Sequence, residues 1–152
     1  MSDYKLVLEH HGILGQKWGV RRFQNKDGSL TPEGKKKYQK KYDKLMDRVE
    51  TNLAKTDYRR QIRAYNDAAN KMNNGLIDKY NSDYKKKLGE KAKAHDYGND
   101  DEYINGYNKL FEKVLNKSYN KILTEDRENN SNYIRAQAIV EKYGTEHIKP
   151  RK

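Results

Sequence analysis

The residue types that chemistry uses are crowded near the start of the chain, in the stretch HHGILGQKWGVRR, residues 10–22. Histidine suggests metal or proton transfer, glycine a phosphate loop, and tryptophan with arginine a docking anchor. Each reading can be tested by spacing. A zinc site needs three or four converging ligands, and the only histidines are His10, His11, His95 and His147. Adjacent histidines in an extended segment point to opposite sides, so His10 and His11 are poorly placed to chelate one ion. The absence of cysteine excludes disulfides, thiolate metal sites and a cysteine nucleophile.

Gly12, Gly15 and Gly19 make neither G-x-G-x-x-G nor G-x-x-x-x-G-K-[ST], so no phosphate loop is expected. No G-x-S-x-G elbow occurs either. Asp100, Asp101 and Glu102 read as charge favouring a helix N-terminus rather than as general acids. The expectation is therefore a protein that is not an enzyme, with no cofactor and no metal.

Ile13, Leu14, Trp18, Val20 and Phe23 form an apolar set with no local core to enter. They either fold back onto the rest of the chain as a cap or insert into a partner's groove. In the second case Trp18, Ile13 and Leu14 are the anchors and Lys17, Arg21 and Arg22 the cationic rim, since tryptophan and arginine dominate interface hot spots. A second cluster, KKKYQKKYDK at residues 35–44, sets Lys35, Lys36, Lys37, Lys40, Lys41 and Lys44 on about three helical turns. Phosphate contacts require only such a dense cationic surface, so these six are the candidate nucleic-acid ligands. The competing reading is an ordinary amphipathic helix with Tyr38 and Tyr42 inside and solvated lysines outside. Nothing in the cluster suggests base-specific readout.

The elements that carry these residues are helical. Thr31 as N-cap, Pro32 at the first helical position and Glu33 in the first turn signal a helix start. Tyr38, Tyr42, Leu45, Val49 and Leu53 then make one apolar stripe. Tyr58, Ile62, Tyr65, Ala69 and Met72 make another, and the sequence leaves open whether Thr56 and Asp57 cap a separate helix or one rod continues. NNG at residues 73–75 offers a C-terminal stop. Leu76, Ile77, Tyr80, Tyr84 and Leu88 continue a helical face, and AHDYGNDDEY reads as the principal break, near residues 94–102.

Tyr103, Tyr107, Leu110, Phe111, Val114, Leu115, Tyr119 and Ile122 line the widest face. TEDRENNSN is expected to interrupt it. Tyr133, Ala136, Ile139, Val140 and Tyr143 then form a last stripe ending at Gly144, before a basic tail, HIKPRK, expected to fray. Ahead of Thr31, YKLVL has strand-like composition and KDGS signals a turn at Asp27 and Gly28, so a short ribbon with Phe23 facing Leu30 is one option. The expected fold is all-α: helical hairpins or a small bundle over residues 31–152, preceded by an irregular or ribbon-like segment over residues 1–30.

Composition limits the core. The 152 residues suit about one domain, and only 34% are hydrophobic against 36% charged, with mean hydropathy −1.33. Thirteen tyrosines offset this by supplying apolar rings whose hydroxyls can stay wet. The net charge of +11 favours polyanionic partners: nucleic acid, an acidic protein surface or anionic lipid. No run approaches transmembrane length and LVL is too short for a signal-peptide core, so a soluble protein is expected, inside a cell or inside a particle made there.

The string HHGILGQKWGVRRFQNKDGSLTPEGKKKY resembles an element of tailed-bacteriophage and prophage proteins. In that element H-x-G-x-x-G-x-K-W-G-x-R-R precedes D-G-S-L-T and a lysine-rich helix. His10 or His11, Gly12, Gly15, Lys17, Trp18, Gly19, Arg21 and Arg22 carry the match, which covers residues 10–38. In such proteins the element often occurs in products of the structural or head-assembly region. The resemblance implies a virion-associated or head-assembly component without catalytic activity, placed in the virion or in the bacterial host cytoplasm during infection. Its partner would be a phage structural or assembly protein, with nonspecific DNA or an acidic protein surface as a further partner and no membrane. Two alternatives stand beside it: an inhibitor of a host defence or transcription complex, of the anti-CRISPR kind, and a nonspecific DNA-binding protein.

Overall fold

The computed structural model describes residues 22–152. Those residues are all-α, with a single isolated antiparallel bridge, Gln24 to Leu30, and no strand. The helices are α1 (Pro32–Lys55), α2 (Asp57–Lys71), α3 (Ile77–Leu88), α4 (Asp101–Glu128) and α5 (Ser131–Tyr143). Two compact units result. One combines residues 22–47 with Ile134–Lys152, and the other is Arg48–Tyr133. Among the described residues no helix is long and apolar enough to cross a membrane.

In the first unit the KDGS turn closes a tight hairpin. Asp27 Oδ1 accepts from Ser29 N at 3.0 Å and Ser29 Oγ at 2.6 Å, and Gly28 takes a φ of 89°, which a side chain rarely adopts. The opposed pair is Gln24 and Leu30, one residue off a Phe23 to Leu30 match. Thr31 then does two things. Its Oγ1 accepts from Gly34 N at 3.1 Å, capping α1, and donates to Arg22 O at 2.8 Å, fastening the hairpin to the helix start. Gly34 permits this, because a Cβ there would lie 2.0 Å from Phe23 O.

Tyr42, Leu45 and Met46 on α1 are buried together with Leu30, Ala136 and Ile139. The C-terminal tail does not fray. Gly144, at φ 79°, ends α5 and turns the chain back so that Ile148 is fully buried. Lys149 exchanges hydrogen bonds with the Gln39 amide at 2.8 and 3.2 Å, and Arg151 N donates to Tyr42 Oη at 2.9 Å. A buried isoleucine and three hydrogen bonds outweigh the fraying that terminal position alone suggests.

In the second unit α2 packs on α4. The face it uses is Arg60, Ala64 and Ala68, all buried, and not the aromatic stripe. Tyr58, Ile62 and Tyr65 are exposed at 73%, 45% and 55%. Alanines let two helix backbones approach closely; of the stripe, Tyr65 sits edge-on to Phe111 at 5.5 Å and Met72, at its end, is fully buried. Thr56 breaks the helical run at φ −100°, so α1 and α2 are separate helices.

NNG kinks the chain without ending its helical course. Gly75 at φ 128° sits inside a π-type turn, Met72–Leu76, that leads into α3. Short 3₁₀ turns at Gly89–Ala94 and Tyr97–Asn99 separate α3 from α4. TEDRE stays helical, and α4 stops only at Asn129 and Asn130. Its start is fixed by side chains: Asp100 Oδ1 accepts from Tyr103 N at 3.0 Å, and Asp101 and Glu102 fill the first turn.

Candidate polyanion-binding face

Lys35, Lys36, Lys37, Lys40, Lys41 and Lys44 are all exposed on α1. The helix sorts them into rows. Lys36, Lys40 and Lys44 follow one another at four-residue steps, about 6 Å each, and Lys37 and Lys41 run beside them. Tyr42 is turned away from this surface, and Tyr38 is half-buried at its edge, with Lys37 Nζ 5.8 Å from its ring centroid. Tyr42 is fully buried and offers no face for base stacking, and Tyr38 packs at a tilt of 37° against Tyr143 with ring centroids 4.4 Å apart. The amphipathic reading of their placement holds.

None of the six lysines has a carboxylate partner among the described residues. The three acids on this part of α1 are engaged elsewhere. Glu33 takes Arg22 Nε at 3.1 Å, Asp47 takes Arg151 Nη1 at 2.7 Å, and Asp43 lies 3.8 Å from Arg151 Nε while also accepting from Gln39 at 3.1 Å. Lys37 Nζ sits 3.8 Å above the Phe23 ring, a cation–π contact that orients it without neutralising it. The result is a lysine surface whose local anions are already matched.

Of the residues expected to dock a partner, Arg22 lies within the described chain. It is exposed, its carbonyl accepts from Thr31 and its side chain pairs with Glu33. Ile13, Leu14, Lys17, Trp18 and Arg21, like His10 and His11, lie outside the described residues. Arg151 belongs to the surface and was not expected there. The only local signal for it is a cation in a basic tail, and its place depends on a partner 104 residues earlier.

Asp100 Oδ2 accepts from Tyr84 Oη at 2.6 Å and lies 2.6 Å from His95 Nε2. The Tyr84 hydroxyl, then the Tyr103 N–H and His95, hold the Asp100 carboxyl down at about 2, while the same bond to Asp100 pushes the Tyr84 phenol up. All three groups are thus spent on one another and on the α4 cap. Two open grooves of about 410 Å3 flank α2 and share Arg63. Their carboxylates are matched too: Asp126 by Arg60 and Arg63, Asp67 by Lys71 and Glu125 by Lys121. Among the described residues no three histidine, aspartate or glutamate side chains converge as metal ligands.

Comparison with known protein families, with characterised proteins and with solved structures finds no match for this chain.

Proposed function

We propose that this chain is a non-enzymatic binding protein of a tailed phage or prophage, carried in the virion or used in head assembly. Its N-terminal segment docks on a structural partner, and its α1 lysine face lies against a polyanion. The observation that carries the second half is the set of six exposed α1 lysines without a carboxylate partner, beside three acids that are each engaged elsewhere. Fixed, unmatched cations at close spacing are what phosphate contacts require.

The first half rests on the string at residues 10–22, where Trp18 supplies an anchor and Lys17, Arg21 and Arg22 a cationic rim. The hairpin supports it mechanically. Thr31 and Gly34 hold residues 22–31, which follow that string directly, against the start of the lysine helix. The test is pull-down from infected cells using the full chain, a chain lacking residues 1–21, and Trp18→Ala. Capture of a capsid, portal or other structural protein by the full chain alone supports the docking role. Equal capture by all three removes it, and capture of a host defence or transcription complex favours the inhibitor instead.

A further inference from the structure

We infer that the docked C-terminal segment, residues 144–152, is a working part of the α1 surface, and that the composite surface takes the phosphodiester backbone of duplex nucleic acid. This inference rests on the polyanion reading above and adds both a ligand class and a residue that controls affinity, Arg151.

The reason lies in helical neighbours. Asp43 follows Lys40 by three residues and Asp47 follows Lys44 by three, the spacing at which opposite charges on a helix pair. Left alone, these two carboxylates would neutralise two of the lysines in the main row. Arg151 prevents that by taking Asp47 at 2.7 Å and lying 3.8 Å from Asp43. Its position is built rather than incidental, because the fully buried Ile148, the paired Gln39 and Lys149, and the bond from Arg151 N to Tyr42 Oη fix the backbone that leads up to it. The same segment brings Lys149 and Lys152, both exposed, to this unit.

The chemistry of the face selects among polyanions. An interfacial membrane helix needs apolar side chains to bury below the headgroups, and no large exposed hydrophobic side chain lies on α1. A protein interface centres on buried aromatic or arginine anchors, and here Tyr42 is fully buried, Tyr38 packs on Tyr143 and Arg151 is spent on Asp43 and Asp47. Lysines alone suffice for a phosphate backbone, which also makes the contact indifferent to base sequence.

The test is fluorescence anisotropy of a labelled mixed-sequence duplex with the full chain, at several salt concentrations, repeated with phosphatidylserine vesicles. Arg151→Gln should weaken duplex binding about tenfold at low salt, more than loss of one cation explains, because two carboxylates are released onto the lysine row. Adding Asp43→Asn and Asp47→Asn to that variant should restore binding to within about threefold of the parent, and the same two changes with Arg151 intact should tighten it. Duplex binding unchanged in Arg151→Gln, or lost and not rescued, overturns the role of the tail while leaving the lysine face standing. Tighter binding to vesicles than to duplex overturns the ligand assignment. No salt-dependent duplex binding by the parent chain takes the polyanion reading down with it.

Discussion

The guanidinium of Arg60 donates two hydrogen bonds to one carbonyl, that of Leu53, from Nη1 at 3.2 Å and Nη2 at 3.3 Å. Leu53 lies in the last turn of α1, where carbonyls have no partner within the helix. Arg60 is 1% exposed, and its remaining N–H groups reach Asp57, Thr56 and Asp126. One side chain thus ties the end of α1 to the start of α2 and the last turns of α4. Removing it leaves the Leu53 carbonyl to Thr56 Oγ1, Asp57 to Gln61 and Tyr119, and Asp126 to Arg63.

Arg60→Ala should therefore cost about 1.5–3 kcal/mol in chemical denaturation, the scale for losing hydrogen bonds from a charged group, since its carboxylate partners are part-exposed and keep other donors. Arg60→Lys should recover less than half of it, because a single ammonium cannot span the same acceptors. A loss below about 1 kcal/mol for the alanine variant would mean that water replaces these bonds freely.

Gly34→Ala reverses an ordinary expectation. Inside a helix alanine is normally favoured over glycine by about 0.5–1 kcal/mol. Here the new methyl would meet Phe23 O, a backbone atom, at 2.0 Å. The substitution should instead lower stability by about 1–3 kcal/mol, as overpacking does, and free the hairpin from α1. Thermal unfolding gives the sign, and a stabilised Gly34→Ala would contradict the close contact.

The Tyr84 and Asp100 pair should limit stability at both ends of the pH range. Asp100 titrates at about 2 in the folded chain against an ordinary 3.8, so its contribution is complete above about pH 4 and disappears as pH falls through 2. Tyr84 is shifted up from 10, so its contribution is complete below pH 10 and is lost as pH rises toward the folded value. Denaturation midpoints across pH should fall at both extremes, and Tyr84→Phe should flatten both limbs. An unchanged profile in that variant would dissociate the pair from stability.

How much of this could be read in advance depends on whether the determinant is local. The start of α1 was legible because Thr31, Pro32 and Glu33 act within one turn, and the turn at Asp27 and Gly28 was legible for the same reason. The inward face of α2 was not. Tyr58, Ile62 and Tyr65 announce an apolar stripe by periodicity, but periodicity does not say which of two faces a neighbour will choose. The choice fell on Ala64 and Ala68, where the backbones can meet, with Arg60 satisfied by acceptors on three helices. The lysines of α1 were legible as a cluster. Their freedom from Asp43 and Asp47 was not, since it depends on Arg151 returning from the far end of the chain.

The exposed stripe gives a paired prediction. Tyr58→Ser should change stability by no more than about 0.5 kcal/mol, as substitutions at exposed positions usually do. Ala64→Leu, at a fully buried position, should cost about 1–3 kcal/mol by forcing α2 from α4. Equal effects at the two sites would show that the stripe is the inner face after all.

The most direct test of the lysine face is the slope of log affinity against log salt for a mixed-sequence duplex. If the six α1 lysines each displace a counterion, the slope should approach about −5, fall by about one for each of Lys40→Ala, Lys41→Ala and Lys44→Ala, and be the same for an unrelated duplex sequence. A slope near zero, or one that these substitutions leave unchanged, would contradict it.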